Sequence, residues 1–171
     1  MTLADDIQLL SRVPLFDGFP EEQLRLLAFG SKRMFMRSGE ALYLQDAVSD
    51  GGYVVVTGQV DLIVQSGQRE IVLASYLANS LIGELALITA NRRIATAVAR
   101  GNCELVFIPR QLFRRMLEEY PELAERLQSR IMHSVQRMLS EMAKVQEKMA
   151  HIPDLSAKTD GDIESGQHEE G

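Results

Sequence analysis

The sequence predicts a mainly β protein with flanking helices, an α+β arrangement in which an antiparallel β sandwich or barrel carries helices at both ends. Three observations lead there. A central zone of residues 33–108 holds many short β signals at close spacing, separated by turn residues. The segments on either side carry capped, helix-period apolar residues. The composition, 46% hydrophobic and 25% charged over 171 residues, suits one packed globular domain with some extra length.

The elements follow in order. Asp5 and Asp6 precede Ile7, Leu9 and Leu10 in a first helix. Pro20, Glu21 and Glu22 open a second, which runs through Leu24, Leu26, Leu27 and Phe29 and closes at Gly30. Strands are expected at Leu42–Leu44, Gly52–Thr57, Val60–Gln65, Ile71–Tyr76, Ala95–Arg100 and Leu105–Ile108. Gly58 and Gly101-Asn102 are among the turns that should separate them. Pro109 then begins a helix over Arg110–Glu119, and Pro121 begins a long one reaching Ala150.

The long helix carries two apolar heptad series: Ala124, Ile131, Met138 and Val145, and Gln128, Val135, Met142 and Met149. Such a stripe packs either on its own barrel or on a second copy of itself. A helix projecting past one small barrel has nothing else to cover its distal residues, so a homodimer through residues 124–149 is expected. Residues 153–171 hold six acids against Lys158 and almost no large apolar side chains, the pattern of a disordered acidic tail. The expected division is therefore 1–120 for the barrel with its N-terminal helices, 121–150 for the dimerising helix and 151–171 for the tail.

Composition excludes several function classes. The net charge is −6, and most of it lies in the tail, so the basic excess of a nucleic-acid binder is missing. No apolar run approaches the ~18 residues a membrane helix needs. Cys103 is the single cysteine, which forbids an internal disulfide and points to the cytoplasm. His133, His151 and His168 all follow the β zone, so no histidine cluster on the strands can hold a metal. Neither Cys103 nor His133 has a partner for nucleophile activation, and no catalytic residue is expected.

The chemistry concentrates between Ile82 and Val98. Gly83 follows a strand and lets the backbone approach a ligand closely. Glu84-Leu85-Ala86-Leu87 can form one helical turn whose free N–H groups make an anion site. Arg93, just before a strand, can aim its planar fork at that anion. Glu84 is negative and suits a sugar hydroxyl. An anion site, an arginine and a hydroxyl acceptor in one loop read as a binder of a ribose phosphate.

Gly83-Glu84-Leu85-Ala86-Leu87-Ile88, followed by Arg93-Ile94-Ala95-Thr96, closely resembles the phosphate-binding cassette of cyclic nucleotide-binding domains. These are the ligand modules of the cyclic-AMP receptor protein, of cAMP-dependent kinase regulatory subunits and of cyclic-nucleotide-gated channels. The resemblance covers about residues 10–150 and includes Val13-Pro14-Leu15-Phe16, Gly58 and the long helix. It implies a jelly-roll barrel, with Glu84 on the ribose 2′-hydroxyl and Arg93 on the cyclic phosphate. Backbone N–H groups of Leu85, Ala86 and Ala95 would assist, and Met138 and Leu139 of the long helix would cap the purine. In members that prefer cGMP the residue after the arginine tends to be Thr or Ser, so Ile94 implies cAMP over cGMP.

The chain departs from the family pattern where Ala78-Asn79-Ser80-Leu81 replaces a Gly-Asp turn and where Arg92 replaces a Pro. A helix-turn-helix domain needs about 50 more residues, and 21 follow Ala150. The expectation is a non-enzymatic cAMP sensor without an output domain or DNA target. It would signal through its own dimer or through a protein partner. The alternatives are a DNA-binding-family regulator that has lost its output domain, or a module without useful affinity for cyclic nucleotides.

Overall fold

The computed structural model describes residues 2–150, with side chains except at positions 145, 146 and 148–150. The tail expected at 151–171 lies outside the described residues. Helix α1 (Leu3–Ser11) starts on a capping box, in which Thr2 and Asp5 satisfy each other's backbone N–H groups. A 3₁₀ turn at Pro14–Phe16 leads to α2 (Glu21–Gly30). Six strands follow: β1 (Lys32–Met36), β2 (Ala41–Tyr43), β3 (Gly51–Ser66), β4 (Arg69–Tyr76), β5 (Leu81–Ile82) and β6 (Thr96–Pro109). Helices α3 (Arg110–Glu119) and α4 (Pro121–Ala150) complete the described chain. Tyr120 leaves helical geometry directly before Pro121, as the residue before a proline tends to do.

Every strand pairing is antiparallel, in the order β1-β6-β3-β4, with β2 joined to β6 and β5 to β3. The fold class is the one the sequence predicts, with one difference of detail: no hydrogen-bonded pair joins β1 to β4, so the sheet is a roll that stays open. Two pairs of expected strands also turn out to be single long ones. Gly58, at φ +94°, sits inside β3, and Gly101, at φ +84°, sits inside β6. The β3–β6 register shifts between Val55 and Thr57 and again between Thr57 and Gln59. A positive-φ glycine serves a bulge as readily as a turn, and bulges bend a strand without ending it. A Cβ at Gly58 would lie 2.7 Å from Asn102 O and Cys103 Sγ, so the bend brings the strands too close for any other residue. Strands β1 and β5 are additional to the expected set.

Two apolar clusters hold this roll. One lies inside it and includes Val55, Val60, Leu62, Ile82, Ala97 and Leu105. The other packs the helices on its outer face through Leu10, Phe16, Leu27, Ile108, Phe113 and Ile131. Arg33 of β1 bonds both Asp6 of α1 and Glu104 of β6, tying the first helix to the sheet. Arg130 of α4 donates to Leu15 O (3.2 Å) and Asp17 O (2.9 Å), fixing the base of the long helix on the first 3₁₀ turn.

The apolar stripe of the long helix changes its burial along the helix. Ile131, assigned from sequence to the dimer seam, is 0% exposed within its own domain, as is nearly true of Leu127. The proximal half therefore packs on its own chain. Met132 (44% exposed) and Leu139 (55%) lie outward, one heptad apart. Among the described residues no helix is long and apolar enough to cross a membrane.

Candidate functional site

The loop from Ile82 to Thr96 folds over the mouth of the roll, facing α4. Gly83 has φ +81°, and its missing Cβ makes room for a guanidinium: a Cβ there would stand 2.6 Å from Arg93 Nη1. The sequence reading expects a ligand against Gly83; the group that occupies this space is instead the arginine of the same loop. Leu85–Leu87 form a 3₁₀ turn entered from Glu84, in place of a full α turn. The Ala86 N–H donates to Gly83 O at 3.1 Å, so one of the three amides that the resemblance offers to a phosphate is engaged inside the turn. Arg110, at the start of α3, closes the other end. Its Nη1 donates to Ala86 O (3.2 Å) and Thr89 O (3.3 Å), and its Nη2 to Ser49 O (3.0 Å). A cation at the carbonyl end of a short helix opposes the partial negative charge there.

Arg93 is 5% exposed. Its main chain is held on both sides, N–H to Ala47 O and O to Asp46 N–H, each at 2.8 Å. Its Nη2 donates to Gly51 O at 2.8 Å, and Asp50 Oδ1 stands 3.8 Å away on a residue that faces solvent. Two tyrosine rings, Tyr43 and Tyr53, flank the guanidinium. Burial pushes the phenols of both above their ordinary value, against the opposing charge of Arg93. Arg92, by contrast, is exposed and spends Nη1 on Asp46 O at 3.0 Å.

Arg93 and Glu84 open into one cavity of about 210 Å³ between this loop and α4. Gly83, Glu84, Leu85, Ala86, Arg93 and Ile94 line it from the loop, and Met138 and Leu139 line it from the helix. A neighbouring lobe of about 140 Å³ shares Glu84, Ile94 and Met138 and extends to Arg137, Glu141 and Met142. Burial raises the Glu84 pKa, while the Ser134 hydroxyl and the Arg137 charge on α4 pull it back down in part. The site thus offers one desolvated cation, one carboxylate acceptor and apolar walls. That is complementary to a ligand with one anionic group, a hydroxyl and a flat apolar body.

The model of the cyclic nucleotide-binding domain matches residues 33–120. The chain belongs to the cyclic nucleotide-binding domain family. A solved cyclic nucleotide-binding-like protein from Brucella abortus is 38% identical, with a TM-score of 0.61 over 67% of this chain and 98% of its own. A cAMP-dependent protein kinase regulatory subunit from Blastocladiella emersonii is 29% identical over 150 residues, 87% of this chain. A neuropathy target esterase from Drosophila ananassae is 32% identical over 101 residues, 58% of this chain. The chain spans 37% of that kinase subunit and 7% of that esterase, so the likeness to each is confined to one part of the larger protein.

Within this cyclic nucleotide-binding domain the structure brings together eight of the nine residues picked from sequence. Ala95 is the exception: it does not line the cavity, and its side chain is fully buried in the roll interior. Sequence reasoning missed Tyr43, Leu62, Tyr76, Asn91, Ser134 and Val135, which also line the cavity. Ser134 and Val135 precede Met138 by one helical turn, a spacing from which they were recoverable. Tyr43 reaches the site only through the pairing of β2 with β6.

Proposed function

We propose that this chain is a regulatory cyclic nucleotide-binding module whose ligand is cAMP in preference to cGMP. The observation that carries the reading is the shared cavity: a buried Arg93, a Glu84 carboxylate and the α4 wall converge on one space of suitable chemistry. Arg93 receives the cyclic phosphate, Glu84 accepts from the ribose 2′-hydroxyl, the amides of Leu85 and Ala95 assist, and Met138 and Leu139 cover the purine. Ile94 lines the cavity and has no hydroxyl for the guanine amino group. The likeness to a cAMP-dependent kinase regulatory subunit supports the ligand class.

The same reading makes the distal part of α4 a dimer surface, through exposed Met132 and Leu139 rather than through buried Ile131. The module signals through that dimer or through a protein partner. Isothermal titration with cAMP, cGMP and 5′-AMP tests the ligand assignment. Tight binding of cAMP with weaker cGMP and weak 5′-AMP is the expected order. Heatless mixing with all three would sink it.

A further inference from the structure

A guanidinium buried as deeply as that of Arg93 ordinarily needs a paired carboxylate, because an unpaired charge removed from water is costly. The carboxylate within reach, Asp50, stands 3.8 Å away and is 72% exposed, which makes a weak, screened pair. What does sit against the guanidinium is an aromatic face. The Arg93 Cζ lies 4.2 Å from the centroid of the Tyr43 ring and 5.7 Å from that of Tyr53. The two rings are themselves 6.1 Å apart, and Phe107 backs Tyr53 at 5.0 Å.

The difference between these two kinds of partner matters for an anion site. A carboxylate lodged against Arg93 would cancel its charge and repel an incoming anion. A ring attracts the cation through its quadrupole and carries no formal charge. The guanidinium is planar, so a face given to Tyr43 leaves the N–H edges for other work. One edge is used by Gly51 O, and Nη1 lies over Gly83 at the cavity. The platform is also rigidly placed. Tyr43 ends β2, in register with Ala97 of β6, and the residues just after it bond both main-chain groups of Arg93.

We propose that Tyr43 is the positioning residue of this anion site, a neutral platform that keeps the Arg93 guanidinium buried and oriented while leaving its charge available to an anionic ligand. For its binding readout the inference rests on the proposed ligand. The pairing itself is testable in the ligand-free chain.

The experiment uses Tyr43→Phe and Tyr43→Leu, each alone and combined with Arg93→Gln, in the full chain. Calorimetric titration with cAMP is one readout, and urea denaturation of the ligand-free protein is the other. Tyr43→Phe keeps the ring and should hold cAMP affinity within about twofold. Tyr43→Leu should weaken it by roughly tenfold or more. In the Arg93→Gln background, Tyr43→Leu should have no further effect. In denaturation, Tyr43→Leu and Arg93→Gln should be non-additive, the double variant losing less than the sum of the two. An equal loss from Tyr43→Leu with or without Arg93 overturns the inference, and so does a loss from Tyr43→Phe as large as that from Tyr43→Leu. A wild-type chain that binds no cAMP defeats the proposed function instead. In that case denaturation alone decides the pairing, and additive losses reject it.

Discussion

Arg92 and Arg93 are neighbours in the chain with opposite surroundings. Arg93 is buried at the wall of the cavity, and Arg92 lies on the surface against Asp46 O. Removing a buried charged partner costs ~2–5 kcal/mol, so Arg93→Ala should weaken cAMP binding by roughly one and a half to three and a half decades. Arg92→Ala should change it far less, and equal losses in titration would show that the register of the site is wrong. Ile94→Thr should improve cGMP affinity by a few-fold to about tenfold, for a hydrogen bond worth ~0.5–1.5 kcal/mol, while cAMP affinity changes little. Competition of the two nucleotides on the variant measures this.

Glu84 adds a pH dependence. Burial raises its pKa, so as pH falls it takes up a proton at a higher pH than it would in water. The neutral form is the poorer acceptor, and cAMP affinity should drop as pH falls through the raised value. Stability has the opposite sign. The folded chain holds this proton more tightly than the unfolded chain, so the Glu84 contribution to stability falls as pH rises from the ordinary value through the raised one. Titrations and melts between about pH 4 and about pH 7 should show both slopes in the difference between wild type and Glu84→Gln.

Among the elements, α4 divides into an anchored base and a free flank. Ile131 is fully buried in the core cluster on the outer face of the roll, where α4 meets α3 and the two 3₁₀ turns, so Ile131→Ala should cost ~2–5 kcal/mol in denaturation. Leu139 is exposed, and Leu139→Ala should leave the melting of a dilute monomer within ~0.5 kcal/mol. These elements also show what the sequence could reveal. The cassette was legible because Gly83 through Ala86 and Arg93 are nearly contiguous and each residue type has a chemical reason. The base of α4 was misassigned because a 3.5-residue apolar repeat looks the same whether it faces its own barrel or a twin. Gly58 and Gly101 were read as strand ends because a one-dimensional pattern cannot tell a bulge from a turn. Tyr43 carried no local signal at all, since its partner is 50 residues away in sequence and is reached only through the sheet.

At the scale of the whole molecule, cAMP and the proposed dimer share one stretch of α4. Met138 and Leu139 line the cavity, and Leu139 also lies on the exposed flank with Met132. Ligand affinity and dimer strength must then affect each other reciprocally. Sedimentation with and without cAMP should show a change in the monomer–dimer balance, and truncation after Lys144 should weaken the dimer while leaving the cassette intact. A monomer at high concentration in both conditions would reject the dimer and leave α4 as a wall of its own domain.

The clamped base of α4 also gives the helix leverage. Ile131 and Arg130 fix it near one third of its length, and 19 residues run on from Ile131 to Ala150. At 1.5 Å per residue that arm is about 28 Å long, so a tilt of about ten degrees at the clamp swings its far end by about 5 Å, close to one helical pitch. Met138 lies only seven residues beyond the clamp, about 10 Å along the arm. A displacement of under 2 Å where the cavity meets the helix therefore becomes a displacement nearly three times larger at the tip. A small adjustment around a nucleotide is enough to move the far end of α4 out of register with whatever it touches.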